Sequence, residues 1–237
     1  CPLIIHEQNT IPGLANRILA YLSSCNLEAF PNSFHSKLGA TVTGNPVRQE
    51  IIQIGEQRLK KGTDETCNIL IFGGSRGARI LNEIVPRALS KIDRRKISVL
   101  HQCGVESEEA VKNEYNKLGL SSDSRICAFI DDMADAYDWA DLVISRSGAM
   151  TLSELTTAGL VSVLVPYKYA VDDHQTKNAE YYSKRNAAFL IREDRFTPNK
   201  LKSVLDKILN NDVLYNSVGD AARSLGHMRA TELVVEK

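Results

Sequence analysis

From residue 67 onward the chain alternates short apolar runs with longer segments of helical period, and this alternation leaves few folds open. The apolar runs fall at 67–72, 97–101, 126–130, 141–145, 161–165 and 187–191, and they are rich in Val, Ile and Leu. They are apolar on both faces, as strands of a parallel sheet covered by helices must be. The segments between them, 78–91, 106–118, 133–139, 151–158 and 174–185, carry apolar residues at three- and four-residue steps. Ile80, Ile84, Val85 and Leu89 are one such stripe. Six strands with helical crossovers predict an α/β fold, a doubly wound, Rossmann-like domain with right-handed connections. Thr197-Pro198 then reads as an N-cap and first helical residue, opening two or three closing helices.

The first 48 residues stand outside that repeat. They read as a strand at 3–6, a helix at 13–22 and short strands near 27–30 and 40–43. Thr43-Gly44-Asn45-Pro46-Val47-Arg48 gathers Gly, Asn and Pro, which marks a turn or linker. The expected division is therefore 1–48, the end of a second α/β domain with its linker, and 49–237, a complete domain. The chain opens on Cys1-Pro2-Leu3-Ile4-Ile5, an apolar run with no polar lead-in, and reads as the later part of a longer polypeptide.

Composition narrows the partners. Lys plus Arg is 29 and Asp plus Glu is 29, a zero balance that argues against a dedicated nucleic-acid binder. No apolar run approaches the roughly 18 residues of a membrane span. The five cysteines are odd in number and lack a C-x-x-C pair, so neither a disulfide framework nor a zinc site is expected. Cys67 and Cys127 border apolar runs and are expected to act as small buried hydrophobes, and a reducing cytoplasm fits them. Arg94-Arg95-Lys96 reads as a solvated loop, with contact to anionic lipid as the alternative.

Three loops carry chemistry. Gly73-Gly74-Ser75-Arg76-Gly77-Ala78 lies between the first strand and its helix. Its glycines admit an anion close to the backbone, and the helix N-terminus offers free N–H groups. A tight turn without a ligand is the alternative. The loop is neither G-x-x-x-x-G-K-[ST] nor G-x-G-x-x-G, and the second strand ends in His101-Gln102-Cys103 with no acid for a ribose, which disfavours NAD. Arg146-Ser147-Gly148 leads into Ala149-Met150-Thr151-Leu152-Ser153-Glu154, where Thr151 and Glu154 have capping-box spacing. Taken alone, Glu154 reads as part of that cap; its carboxylate could instead accept hydrogen bonds from two ribose hydroxyls. Asp172-Asp173-His174-Gln175 follows the fifth strand and reads first as an ordinary acidic helix start. Asp131-Asp132 reads as capping rather than as a metal pair. All these loops follow strands, so they converge on the C-terminal edge of the sheet, where open α/β sheets bind ligands. Their convergence points to a nucleotide or nucleotide sugar whose diphosphate sits on helix N-termini.

These blocks, with His6-Glu7-Gln8-Asn9, Gly44-Asn45-Pro46-Val47-Arg48 and Phe129-Ile130-Asp131-Asp132-Met133, resemble the MurG glycosyltransferases of bacterial peptidoglycan synthesis, in glycosyltransferase family 28. The resemblance extends through Asp172-Asp173-His174-Gln175-Thr176-Lys177-Asn178-Ala179 and so over nearly the whole chain. It implies a GT-B fold and inverting transfer of GlcNAc from UDP-GlcNAc to a lipid-linked MurNAc-pentapeptide, on the cytoplasmic face of the inner membrane. By the same resemblance Glu154 would hold the ribose and Ile130 would meet uracil through its backbone. Ser75 and the turn Ala149-Met150-Thr151, continuing through Leu152 and Ser153, would hold the diphosphate. Gln175 would contact GlcNAc hydroxyls, Arg48 would reach the nucleotide from the linker, and Asn9 would face the sugar. No metal and no further cofactor is implied. The family's glycine-rich loop with its proposed base His has no counterpart here, so no catalytic residue is assigned. Arg76 stands where Gln is common, and Met150 where Leu is common. His6 is expected to be a strand-end structural residue. Other readings are a non-catalytic donor-binding subunit with a membrane partner, and a UDP-GlcNAc epimerase.

Overall fold

The structure, a computed structural model, describes residues 2–58, 66–93 and 97–237. Cys1 and the Arg94-Arg95-Lys96 cluster lie outside the described residues.

Two parallel sheets organise the described chain. The larger contains β4 (Cys67–Phe72), β5 (Ile97–Gln102), β6 (Ser124–Cys127), β7 (Leu142–Ser145), β8 (Val161–Leu164) and β9 (Phe189–Leu190). Its spatial order is β6-β5-β4-β7-β8-β9, and every pairing is parallel. The direction of winding reverses between β4 and β7, which opens a crevice beyond their C-terminal ends. The doubly wound α/β expectation is met.

The apolar runs are explained by burial on both faces. Ile69 and Ile71 of β4 point into one layer, while Leu70 and Phe72 point into the other. The first layer is filled by Leu81 and Val85 of α3 (Arg79–Leu89) and by Leu201 and Leu205 of α8 (Pro198–Leu209). The second takes Tyr137 of α5 (Met133–Trp139) and Leu152 and Leu155 of α6 (Ala149–Thr157). Each fully buried Leu or Ile contributes about 2 kcal/mol of transfer free energy. Crossovers are completed by α4 (Glu108–Lys117) and α7 (His174–Ser183). Three helices close the chain: α8, α9 (Asp212–Ser224) and α10 (Ala230–Val235). Thr197 caps α8 by accepting from the Lys200 N–H at 3.2 Å, as its place before Pro198 predicts.

The smaller sheet contains β1 (Ile4–Glu7), β2 (Cys25–Glu28) and β3 (Thr41–Val42) in that order, with α1 (Leu14–Leu19) after β1. Its second strand begins two residues before the expected position. The buried Glu7 carboxylate shapes the turn into α1. It accepts from the Asn9 and Gly13 N–H groups and from the side-chain amides of Asn9 and Asn16. His6 is structural, as expected: its Nε2 lies 3.1 Å from Thr43 Oγ1 and 3.0 Å from Gly44 O.

Several boundaries differ from the sequence reading. Residues 49–57, assigned no element there, form α2 (Gln49–Gln57), which buries Ile51 and Ile52. Strand β6 ends at Cys127, so Ile130 lies beyond it, because β5 offers partners only as far as Gln102. Strand β9 keeps two paired residues of the expected five, as an edge strand with one neighbour. Cys67 and Cys127 are half-buried, and Cys103 is buried.

Candidate functional site

The glycine turn after β4 is shaped by a close approach of two backbones. Gly77 has φ +73°, and a Cβ there would lie 2.0 Å from Cys103 O at the end of β5. Only glycine accommodates both constraints. A buried polar chain supports this contact from behind. Asn82 Nδ2 donates to Cys103 O at 2.9 Å, so its Oδ1 can only accept, and the proton sits on His101 Nε2, 3.1 Å away. His101 Nδ1 then accepts from the Tyr115 hydroxyl at 3.0 Å. Burial pushes the His101 imidazole down to about 3, which keeps it neutral.

The second turn leads from β7 into α6. Here the capping-box expectation is overturned. The helix begins at Ala149 with Gly148 as N-cap and no side-chain cap bond, so Thr151 is inside the helix and Glu154 is well past its start. The N–H groups of the first turn, Ala149 through Thr151, have no intrahelical partner, an arrangement that suits an anion. Freed from capping, the Glu154 carboxylate accepts from the Tyr137 hydroxyl at 2.9 Å and faces the Arg48 guanidinium at 3.6 Å. Burial pushes the Glu154 carboxyl up from its ordinary value, while the Tyr137 bond and the Arg48 charge pull it back. Arg48 reaches it from the N-cap position of α2.

The third loop precedes α7. Asp172 and Asp173 both hold left-handed backbone, at φ 52° and 53°, a costly conformation for non-glycine residues. Neither side chain caps the helix; Asp172 pairs with Arg17 at 3.1 Å. The expected acidic helix start is therefore corrected to a strained corner. Gln175 Oε1 accepts from Tyr167 N–H at 3.0 Å, and Ser147 Oγ donates to Gln175 O at 2.8 Å. Asp132 does cap α5, accepting from the Ala134 and Asp135 N–H groups at 2.9 and 3.1 Å.

These turns enclose two adjacent cavities rather than one. A space of about 200 Å³ collects Ser75, Ile130, Thr151 and Glu154 from the expected set. Gln102, Phe129 and Tyr137, which the sequence reading did not nominate, also line it. A second space of about 650 Å³ lies on the other side of the glycine turn, against Gly73, Arg76, Arg146 and Gln175. There Arg146 is held by Glu193 at 2.6 Å and by the Val165 and Pro166 carbonyls. A groove of about 890 Å³ along the β6 edge shares only Phe129 and Ile130 with the first space and includes no glycine turn.

Other expected residues are placed elsewhere. Leu152 packs in the core, and Ser153 Oγ accepts from Asn45 Nδ2 at 3.0 Å, tying α6 to the linker. Ala149 is buried and Met150 exposed at the helix start. The Asn9 side chain bonds to Asn178 Nδ2 at 3.0 Å and to Glu7 at 3.3 Å, and lines neither space. Among the described residues no group of three or more His, Cys, Asp or Glu is placed to hold a metal ion.

The family model of the glycosyltransferase family 28 C-terminal domain matches residues 68–233. The UDP-N-acetylglucosamine–N-acetylmuramyl-(pentapeptide) pyrophosphoryl-undecaprenol N-acetylglucosamine transferase of Shewanella woodyi is 42% identical over 236 residues, covering 99% of this chain and 64% of that protein. The chain thus spans just under two thirds of that curated relative. The crystal structure of Acinetobacter baumannii MurG superposes with a TM-score of 0.84 at 37% identity, over 99% of this chain and 66% of that one. A UDP-GlcNAc 2-epimerase from Neisseria meningitidis superposes with a TM-score of 0.67 at 15% identity, over 99% and 68%, a likeness of fold alone. The fold is of the GT-B type, with one complete doubly wound domain.

Proposed function

The chain belongs to glycosyltransferase family 28, and on that footing we propose that it is the donor-binding part of an inverting GlcNAc transferase. The donor is UDP-GlcNAc and the acceptor a MurNAc-pentapeptide carried on a lipid diphosphate, as the relatives' name describes for them. Residues 49–237 form the donor domain, and residues 1–48 belong with the acceptor-side domain and the linker. The carrying observation is the 200 Å³ space at the sheet's switch point, where a carboxylate, a glycine turn and a helix N-terminus meet.

The geometry suits a nucleoside diphosphate in one orientation. Uracil lies against Phe129 and the Ile130 backbone, the ribose hydroxyls donate to Glu154, and the diphosphate passes Ser75 to the N-terminus of α6. The sugar then reaches Gln175 and the larger space. When the sugar–phosphate bond breaks, negative charge develops on UDP, and the first-turn N–H groups of α6 are aimed at it. Arg48 adds a positive charge from the linker. No histidine lines either space, and no base is assigned to this chain.

A lipid-linked acceptor requires the enzyme to meet a membrane surface, and we place it there peripherally, on the cytoplasmic side. Among the described residues no helix is long and apolar enough to cross a membrane.

Calorimetric titration of the Glu154→Gln variant tests the reading. UDP affinity is expected to fall at least tenfold, because an amide lacks the charge that strengthens the ribose bonds. The variant should remain as stable as the parent or become more so near neutral pH, where burial opposes the charged carboxyl. Unchanged UDP affinity in the folded variant would overturn the ribose assignment.

A further inference from the structure

We infer that Tyr137 is a positioning residue for ribose recognition: its buried hydroxyl holds the Glu154 carboxylate in the one orientation that presents it to both ribose hydroxyls. The inference rests on the nucleotide reading above and names what makes that site select a ribose.

Tyr137 is immobile by construction. It is fully buried, its ring meets Phe72 edge-on at 6.1 Å, and its backbone carbonyl accepts from Arg58 Nη2 at 2.6 Å. The Arg58 guanidinium also binds the carbonyls of Ala140 and Ala158, which ties the ends of α5 and α6 together. Tyr137 therefore sits on a braced pair of helices, and its hydroxyl donates to Glu154 Oε2 at 2.9 Å. Both residues line the same 200 Å³ space.

A glutamate side chain has three rotatable bonds, and an unrestrained carboxylate samples several orientations. One bond from a rigid donor removes most of that freedom. It occupies one lone pair of Oε2 and leaves the other lone pair and Oε1 toward the cavity. Arg48 pairs with Oε1 at the longer distance of 3.6 Å, a looser contact than the 2.9 Å bond from Tyr137. Glu154 is not held by a helix cap, since Gly148 occupies that position. The Tyr137 hydroxyl makes the shorter of the carboxylate's two side-chain contacts, the other being the Arg48 ion pair.

The test compares UDP with 2′-deoxy-UDP, which lacks one of the two hydroxyls, by calorimetry on the 237-residue chain. The parent chain is expected to prefer UDP. Tyr137→Phe should weaken UDP by about tenfold, the size of one charge-assisted bond. It should weaken 2′-deoxy-UDP, which has only the 3′-hydroxyl contact to lose, by clearly less, so the preference for UDP shrinks, as Glu154→Gln is also expected to make it. A Tyr137→Phe chain that keeps the parent preference overturns the inference. So does equal loss of both nucleotides, which would make Tyr137 a residue of the fold rather than of the site. A parent chain that binds neither nucleotide overturns the proposed function itself. A parent that binds both equally removes the ribose role of Glu154, and the inference with it.

Discussion

Replacing Gly77 by alanine is expected to cost about 3 kcal/mol of stability and to weaken UDP binding at least tenfold. Two separate terms add. The φ of +73° carries roughly 1–2 kcal/mol of left-handed strain for any residue with a Cβ. The new methyl would also lie 2.0 Å from Cys103 O, so the turn or the end of β5 must move. That movement displaces Ser75, two residues away on the same turn. Gly74 supplies the control: its φ is +92°, but a methyl added there would meet nothing within 4 Å. Gly74→Ala should therefore cost only the strain, about 1 kcal/mol. Urea unfolding of both variants measures the difference. Equal costs would mean that the close approach at Cys103 places no demand on the turn.

The second large effect is expected below neutral pH and comes from His101. Its imidazole, enclosed and pushed down to about 3, titrates near 6.5 in an unfolded chain. Below pH 6.5 the unfolded state therefore takes up a proton that the folded state refuses. The sign follows: this contribution is complete above about pH 6.5 and is lost as pH falls toward 3. At 1.36 kcal/mol per unit the full loss is on the order of 5 kcal/mol. In the His101→Gln variant, the amide can still accept from Tyr115 and donate to Asn82, but it has no proton to gain. The variant is expected to be less stable than the parent at pH 7 and to lose less stability on acidification. Denaturant unfolding at pH 7, 5.5 and 4.5 reads the two slopes. Burial also lowers His227, but that group is present in both chains and cancels in the comparison. Parallel slopes would show that His101 accepts a proton without leaving its site.

The sheet was legible because its four central strands, β5, β4, β7 and β8, are buried on both faces, so Ile69, Leu70, Ile71 and Phe72 read as one unbroken apolar run. The same logic fails at the edge, where β9 pairs through Phe189 and Leu190 only. Helix α2 was hidden by its neighbour: the Gly-Asn-Pro linker is the louder signal, while Ile51, Ile52 and Ile54 already had helical spacing. The capping box misled for a physical reason. A favourable side-chain cap is worth about 1 kcal/mol, less than the packing that starts α6 at Ala149 under the end of β7. Once the start moved by two residues, Glu154 was released to face Tyr137.

The three candidate loops were legible as a group, because each follows a strand of a parallel sheet. Their division between two cavities was not, since no local pattern says on which side of the glycine turn a side chain will lie. Tyr137 had no sequence signal at all; it is an aromatic residue in an apolar helix, and only packing aims its hydroxyl at Glu154. Gln102 had a weak one, its place at the C-terminal end of a strand beside the switch point. The resemblance placed Asn9 against the sugar, whereas its side chain is engaged by Asn178 and Glu7.

We propose that the crevice between β4 and β7 is a nucleoside diphosphate site whose charge is met by the N-terminus of α6. Titration of the 237-residue chain with UDP in the presence of a metal chelator tests it most directly. The predicted result is binding at a single site, saturable below millimolar UDP and lost together with the Glu154 carboxylate. No binding at millimolar UDP, or binding that appears only when a divalent cation is restored, would contradict it.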